Sequence, residues 1–180
     1  MRLQNAGMNY FLATERLGFR CWSEDDLPLA TELWADPEVT GLFGGPYTPE
    51  MVRARLAREM AQMRETGLQY WPIFLLDGGR HAGCAGLRLH DPAQRIFELG
   101  YHLRPSFWGM GLATEASRAV IGLAFGKLGA KALFAGHHPL NDRSRSVLLK
   151  LGFQYVRDEV FPATGVVEPT YLLRGEWRGA

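Results

Sequence analysis

The stretch Arg104-Pro-Ser-Phe-Trp108-Gly109-Met110-Gly111-Leu112-Ala113-Thr114-Glu115-Ala116 decides how the rest of the chain is read. It follows a strand-like segment, Arg95 to Leu103, and runs into a helix-like one, Leu112 to Leu128, with Gly109 and Gly111 at the junction. Glycine lets the backbone turn sharply and admits a ligand close to the main chain. The first amides of a helix lack intrahelical partners and sit at the positive end of its dipole. A strand, a Gly-x-Gly turn and a helix start therefore make an anion site, most often for phosphate. A plain strand-to-helix turn containing two glycines has the same local signature. The dinucleotide fingerprint needs a third glycine where Thr114 stands, and the Gly-Lys-Ser/Thr ending of a P-loop is also missing.

Upstream of this stretch the pattern is a run of strands. Tyr70 to Leu76 and His81 to His90 are strands joined by the hairpin turn Asp77-Gly78-Gly79, and Ile96 to Leu103 closes an antiparallel meander. Consecutive strands argue against a doubly wound nucleotide fold. Further back, Arg16 to Trp22 reads as a strand. Ser23 caps a helix bearing Leu27, Ala30, Leu33 and Trp34 on one face, with Asp26 as a short-armed capping box. That helix ends before Asp36-Pro37. Asp36 to Thr48 is a glycine-rich loop with Phe43 and Tyr47, either a lid or a packed surface loop. Thr48-Pro49-Glu50 starts a helix that runs to about Glu65 and stops at Gly67. Its Arg53, Arg55, Arg58, Glu59 and Arg64 are expected to form a solvated face.

Downstream, Ala116, Ala119, Val120, Leu123 and Ala124 form the apolar face of the helix after the glycines, and Gly129 ends it. Lys131 to Gly136 is a strand. His137-His138-Pro139 breaks it, and Asn141 or Asp142 caps a helix from about Arg143 to Leu151. Gln154 to Val160 and Val167 to Leu173 form a last strand pair. The class is α+β. The expected organisation is a loose terminus over residues 1–9 and one domain over residues 10–180.

The composition narrows the partners. The chain has 180 residues, 47% hydrophobic and 22% charged, with a formal net charge of +1. That balance favours neither nucleic acid nor a membrane surface, and no apolar run reaches membrane-spanning length. Cys21 and Cys84 are too far apart in sequence for a CxxC motif, and no His, Cys or Asp cluster has metal-ligand spacing, so no metal is expected. A cytoplasmic protein without a signal peptide is expected.

Two motifs at this separation carry a resemblance: the loop Trp108-Gly-Met-Gly-Leu-Ala-Thr-Glu-Ala116 and the later Asn141-Asp-Arg-Ser144-Arg-Ser-Val-Leu-Leu-Lys-Leu-Gly-Phe153. Over about Arg16 to Leu173 the chain resembles the GCN5-related N-acetyltransferase (GNAT) superfamily, and within it the ribosomal-protein N-terminal acetyltransferases, the RimJ/RimL-like group. The resemblance implies a mixed, mostly antiparallel twisted sheet of six to seven strands with about four helices. It implies a splay between the fourth and fifth strands, here Glu98 to Leu103 and Lys131 to Gly136. Acetyl-CoA would be the cosubstrate. Its diphosphate would meet the amides of Trp108, Gly109, Met110, Gly111, Leu112, Ala113 and Thr114, and its pantetheine arm would lie in the wedge. The family's fuller loop pattern has Gln or Arg three residues before the first glycine. Here that residue is Ser106, and Arg104 is off register, so the grip rests on the backbone.

The implied chemistry is direct attack of an amine on the thioester. It needs a neutral amine, a polarised acetyl carbonyl and a proton for the leaving sulfur. A backbone amide near Tyr101 to Leu103 would polarise the carbonyl. Ser144, one helical turn past Asn141, would supply the proton; alternatively its hydroxyl caps the helix. Asn141 would fix the cofactor or the acceptor, or act as a plain cap. Glu98, a carboxylate in the apolar run Ile96 to Tyr101, would be the base, or form a cross-strand ion pair. His137 and His138 are rival bases, of which at most one faces the site. Glu115 reads as a helix-face residue and Tyr155 as core.

The acceptor would be a peptide N-terminus or a small-molecule amine, chosen by the Gly41 to Tyr47 loop, the Tyr70-Trp71 region and the Val160 to Val167 hairpin. A non-catalytic acyl-CoA-binding module is the alternative of a different class. A homodimer is possible, and Trp177 is a candidate docking residue.

Overall fold

The computed structural model describes residues 9–175; Trp177, and the expected loose terminus up to residue 8, lie outside the described residues. Eight strands form one sheet: β1 (Leu12–Ala13), β2 (Leu17–Phe19), β3 (Tyr70–Leu75), β4 (His81–Asp91), β5 (Ile96–Leu103), β6 (Ala132–Gly136), β7 (Gln154–Val160) and β8 (Val167–Arg174). Their spatial order is β1-β2-β3-β4-β5-β6-β8-β7. Every neighbouring pair is antiparallel except β5 and β6. Five α-helices flank the sheet: α1 (Leu27–Trp34), α2 (Pro37–Thr40), α3 (Pro49–Thr66), α4 (Leu112–Gly126) and α5 (Asp142–Lys150).

The parallel pair opens almost as soon as it forms. Ile96, Phe97 and Glu98 pair with Ala132, Leu133 and Phe134, and beyond Glu98 the two strands part. β5 stays paired with β4 as far as Leu103, and β6 with β8 as far as Gly136. The direction of the freed groups follows from the register. The Arg104 amide donates to the Ala82 carbonyl at 3.0 Å. Residues two, four and six earlier on β5 therefore also bond to β4, while Leu99, Tyr101 and Leu103 turn their amides and carbonyls toward the opening.

The sequence chemistry explains the elements around the opening. Thr48 accepts from the Met51 amide at 3.3 Å and Pro49 takes the first position of α3. Gly67 ends α3 with φ +73. Ser23 and Asp26 make the capping box, at 2.8 Å and 3.0 Å, around a single 3-10 turn that leads into α1. Apolar side chains of α4, including Leu112, Ala116, Val120 and Ile121, join Leu87, Leu99, Leu103 and Leu133 in one core. A second core joins α1 and α3 through Leu33, Trp34, Val52, Leu56, Tyr70 and Cys84.

Four expectations change. Among the described residues the sheet has eight strands rather than six or seven, because the two-residue β1 adds to one edge; the opening lies between the two expected segments, which are thereby numbered β5 and β6. The Asp36 to Thr48 segment is not all loop. Asp36 accepts from the Glu38 amide at 2.8 Å and Pro37 follows it, so the segment opens with α2, which makes five helices where about four were expected. The charged face of α3 is not wholly solvated, since Arg55 and Glu59 are buried. They share the Val52 and Leu56 stripe, at the spacing that faces the core. Tyr155 is not core: it stands 57% exposed on the edge strand β7, its ring edge-on to Tyr171.

Candidate active site

The glycine turn lies at the mouth of the opening. Gly109 and Gly111 hold φ +77 and +76, which side chains rarely adopt, and nothing lies within 4 Å of a Cβ built at Gly109. No amide of residues 109–114 donates to another described residue. Those free N–H groups stand at the start of α4, a 15-residue helix. They have the direction and dipole that hold a diphosphate. Met110 is exposed, Leu112 is buried in the core, and Ala113 packs partly against it. Thr114 is half-buried in the first turn.

The side chain behind this loop comes from elsewhere in the chain. Arg16, just before β2, donates from Nη1 to the Met110 carbonyl at 2.9 Å and from Nε to Glu115 at 2.6 Å. Thr14 and the Arg16 amide complete the grip on Glu115, at 2.5 Å and 2.9 Å. Burial alone would raise the Glu115 carboxyl, but these hydrogen bonds prevail and hold it below its ordinary value. Glu115 is thus a brace between the first sheet edge and the loop. Arg104 turns away, to Glu32 at 2.8 Å and the His81 carbonyl at 3.3 Å.

Along the freed edge of β5, the Leu103 carbonyl accepts from Trp108 Nε1 at 2.8 Å, and the Arg143 guanidinium lies 4.5 Å over the Trp108 ring. Tyr101 reaches α5: its hydroxyl lies 3.0 Å from Ser144 Oγ. Burial pushes the Tyr101 hydroxyl up to about 12, against a smaller lowering effect of the Ser144 hydrogen bond. Asn141 Oδ1 accepts from the Ser144 amide at 3.0 Å, the N-cap of α5. Tyr101, Asn141 and Ser144 are thus brought together, with the Ser144 hydroxyl turned to Tyr101.

Glu98 lies on the opposite face of β5 from Tyr101, because three residues separate them along a strand. Its Oε1 accepts from the Tyr70 hydroxyl at 2.7 Å. Arg88 is its cross-strand partner in the register, yet Arg88 Nη2 turns to Glu59 at 2.5 Å, and Glu98 forms no ion pair among the described residues. Glu59 also takes Arg55 Nε at 2.7 Å and the Tyr70 amide at 2.8 Å. Both guanidiniums lie against the Tyr70 ring, Arg88 at 4.2 Å and Arg55 at 5.6 Å from its centre. Burial first, and Glu98 second, raise the Tyr70 hydroxyl well above its ordinary value, so it stays a donor. His102, on the same face, accepts from Trp34 Nε1 at 3.1 Å and stacks on Phe43 at 4.7 Å. Burial, then Arg55 and Arg88, push it well below its ordinary value, which leaves it neutral.

The histidine pair is set apart from Glu98. His137 is buried with Nδ1 2.8 Å from the His138 carbonyl and Nε2 3.2 Å from the Tyr171 hydroxyl. His138 Nδ1 accepts from the Leu140 amide at 3.2 Å. Both are engaged in the turn after β6.

Sequence reasoning set the Tyr70-Trp71 region among the acceptor-choosing segments but did not join Tyr70 with Arg55, Glu59, Arg88 and His102 in one cluster. A usable signal was the spacing 52, 55, 56, 59 on α3, which sets a charged pair in the core stripe.

The chain compares with known proteins as follows. The model of the acetyltransferase (GNAT) domain family matches residues 16–154. An uncharacterised N-acetyltransferase, p20, of Bacillus licheniformis is 31% identical over 149 residues, which cover 79% of this chain and 82% of the relative. An acetyltransferase from Agrobacterium tumefaciens has a crystal structure that matches with a TM-score of 0.77 at 26% identity, over 96% of this chain and 99% of that one. RimL, a ribosomal L7/L12 alpha-N-protein acetyltransferase solved in complex with coenzyme A, matches with a TM-score of 0.76 at 16% identity, over 89% and 95% of the two chains. At that identity the likeness is one of fold.

Proposed function

Because the chain belongs to the GNAT acetyltransferase family and is an acetyl-CoA-dependent N-acetyltransferase, we infer that it moves the acetyl group to a primary amine by direct attack in a ternary complex. The observation that carries this reading is the freed edge of β5, with open amides at one end and Glu98 and Ser144 on its two faces. The amides of residues 109–114 hold the diphosphate, with the loop fixed by Arg16. The Tyr101 and Leu103 amides, which face the opening, polarise the acetyl carbonyl. Glu98, without an ion pair to neutralise it, takes the proton of the attacking amine directly or through one water. Ser144, backed by the protonated Tyr101 hydroxyl, gives a proton to the departing sulfur and regains it through Tyr101 or solvent. Each proton is accounted for: one leaves the amine and one arrives on the thiol.

The acceptor enters from the face of Glu98, between the Gly41 to Tyr47 loop and the β7–β8 hairpin. These two meet where a Cβ at Gly44 would lie 4.0 Å from Thr164. Both a RimL-like peptide N-terminus and a small amine are compatible with an entrance there. The test is free-CoA release over a panel of N-terminal peptides, amino acids, polyamines and aminoglycosides, with Ser144→Ala alongside. Turnover with at least one amine is expected, and a fall of about a hundredfold in kcat for the variant with unchanged acetyl-CoA affinity. Tight acetyl-CoA binding without turnover on any amine would favour the binding-module reading. Full turnover by Ser144→Ala would remove that residue from the mechanism.

A further inference from the structure

The chamber on the Glu98 face holds more cationic hydrogen-bonding capacity than its own acids use. Arg55 is only 6% exposed, yet its Nη2 has no hydrogen-bond partner among the described residues. Arg88 Nε is likewise buried and unpartnered. Both guanidiniums converge on the single carboxylate of Glu59. Arg58, on the outer side of α3, is close enough for Arg55 and Arg88 to lower its pKa, a smaller effect than its own partial burial. Arg55 and Arg88 thus share Glu59, with Arg58 exposed nearby. A buried guanidinium with unused N–H groups is unfavourable unless an acceptor oxygen reaches it.

Glu98 does not fill that need. Its one hydrogen bond comes from Tyr70, and a cationic amine arriving there brings a further positive charge. With Glu98 given to the amine, Arg55 and Arg88 face Glu59 alone. One more carboxylate makes the charges even and supplies oxygens in the fork geometry that guanidinium groups match. The surroundings are aromatic: Trp34 lies 5.1 Å from the Arg55 guanidinium, Tyr70 lies against both arginines, and Phe43 stacks on His102. Phe43 and Tyr47 stand edge-on at 6.2 Å on the loop that forms the roof. The Arg88 side chain is 21% exposed, which gives an acid its way to the guanidinium pair.

Resting on the transferase reading above, we propose that the acceptor is an amino acid or a close amino-acid analogue, its amine at Glu98 and its carboxylate on Arg55 and Arg88. A polyamine or an aminoglycoside brings only positive charge to a wall that already holds Arg55 and Arg88. The first residue of a peptide has an amide where the carboxylate is required.

The experiment uses the intact chain and matched acceptors: L-amino acids from glycine to phenylalanine, their carboxamides, and diamines of similar length. Rates are compared as kcat/KM, corrected for the fraction of free amine, because a carboxamide lowers the pKa of its neighbouring amine. The acid is expected to exceed its carboxamide by at least tenfold and the diamine by more. Arg55→Lys, which keeps the charge and loses the fork, is expected to shrink the acid-to-carboxamide ratio at least fivefold. That ratio is internal to one preparation, so a partly unfolded variant leaves it readable. Equal or better use of carboxamides, diamines or peptides overturns this inference and leaves the transferase reading standing. An unchanged ratio in Arg55→Lys removes the carboxylate from Arg55. No turnover on any amine, with acetyl-CoA still bound, overturns the transferase reading and this inference with it.

Discussion

Gly100→Ala is the substitution on which the geometry of the Glu98 chamber is most exposed to test. Gly100 lies between Glu98 and His102 on β5, and the Tyr70 ring occupies the space a side chain would take. A Cβ there would run into the Tyr70 hydroxyl and Cζ and come within 2.6 Å of Cε2. The ring has no easy retreat, since Arg88 lies 4.2 Å over it and Arg55 at 5.6 Å. Overpacking of this kind costs about 2 kcal/mol. Displacing the ring also breaks the hydrogen bond to Glu98, a charged acceptor, worth about 1.5 kcal/mol. The sum, about 3.5 kcal/mol, lowers the melting temperature of a domain this size by about 7 to 14 °C. Activity should fall by more than the unfolded fraction, because Glu98 loses the group that aims it. The assay is calorimetric unfolding of Gly100→Ala, Tyr70→Leu and the double variant. In the double variant the obstructing ring is gone, so about 2 kcal/mol of the two single costs should not add. A melting temperature within about 1 °C of the parent, or strict additivity across the cycle, would refute the packing argument.

Other expectations follow from single sites. Arg16→Ala frees the Met110 carbonyl and should raise the KM for acetyl-CoA about tenfold, with kcat within about twofold, since one charged hydrogen bond is worth about 1.5 kcal/mol; an unchanged KM in steady-state kinetics would show that the loop holds itself. His81 is buried with both ring nitrogens unpartnered, and burial, with Arg104 next, lowers its pKa from 6.5 to about 4. Between those values the unfolded chain binds the proton and the folded one does not, so this stability is whole above pH 6.5 and lost as the pH falls, at about 1.4 kcal/mol per pH unit. Urea midpoints at pH 7 and pH 5 should differ in the parent and differ less in His81→Leu, where buried His102 still titrates in the same direction; an equal difference in the two proteins would remove His81 as a cause. Cys84 is buried and burial pushes its thiol up to about 12, while Cys21 is exposed. A disulfide reagent at pH 8 should therefore modify one thiol per chain in the folded protein and two after denaturation; rapid reaction of both without denaturant would contradict the burial of Cys84.

Local chemistry made most of the elements legible. Thr48-Pro49 and Gly67 fixed the ends of α3, and Gly109 and Gly111 marked a turn that only residues without a Cβ adopt freely. The consecutive strand-like runs from Tyr70 to Leu103, with the Asp77-Gly78-Gly79 turn between the first two, gave the antiparallel meander. Those signals are short-range, so one chain of letters carries them. They also located Ser144 and Asn141 at a helix start, where spacing alone put them within one turn of each other.

Contacts between distant segments were decided by packing. Nothing near Glu115 names Arg16 as its partner, 99 residues away; the match exists because β2 enters the sheet beside the start of α4. Tyr70 finds Glu98 only because β3, β4 and β5 lie side by side and Gly100 leaves the intervening position empty. The burial of Arg55 and Glu59 likewise depends on α3 lying against α1 and the sheet, which turns a charged pair that reads as surface into the wall of a chamber. Sequence sets what each segment is able to form by itself, because hydrogen bonds and caps act over a few residues. Which unspent charge meets which ligand is settled only when the folded chain excludes water from it, because an unpaired guanidinium is costly in the interior and unremarkable in solvent.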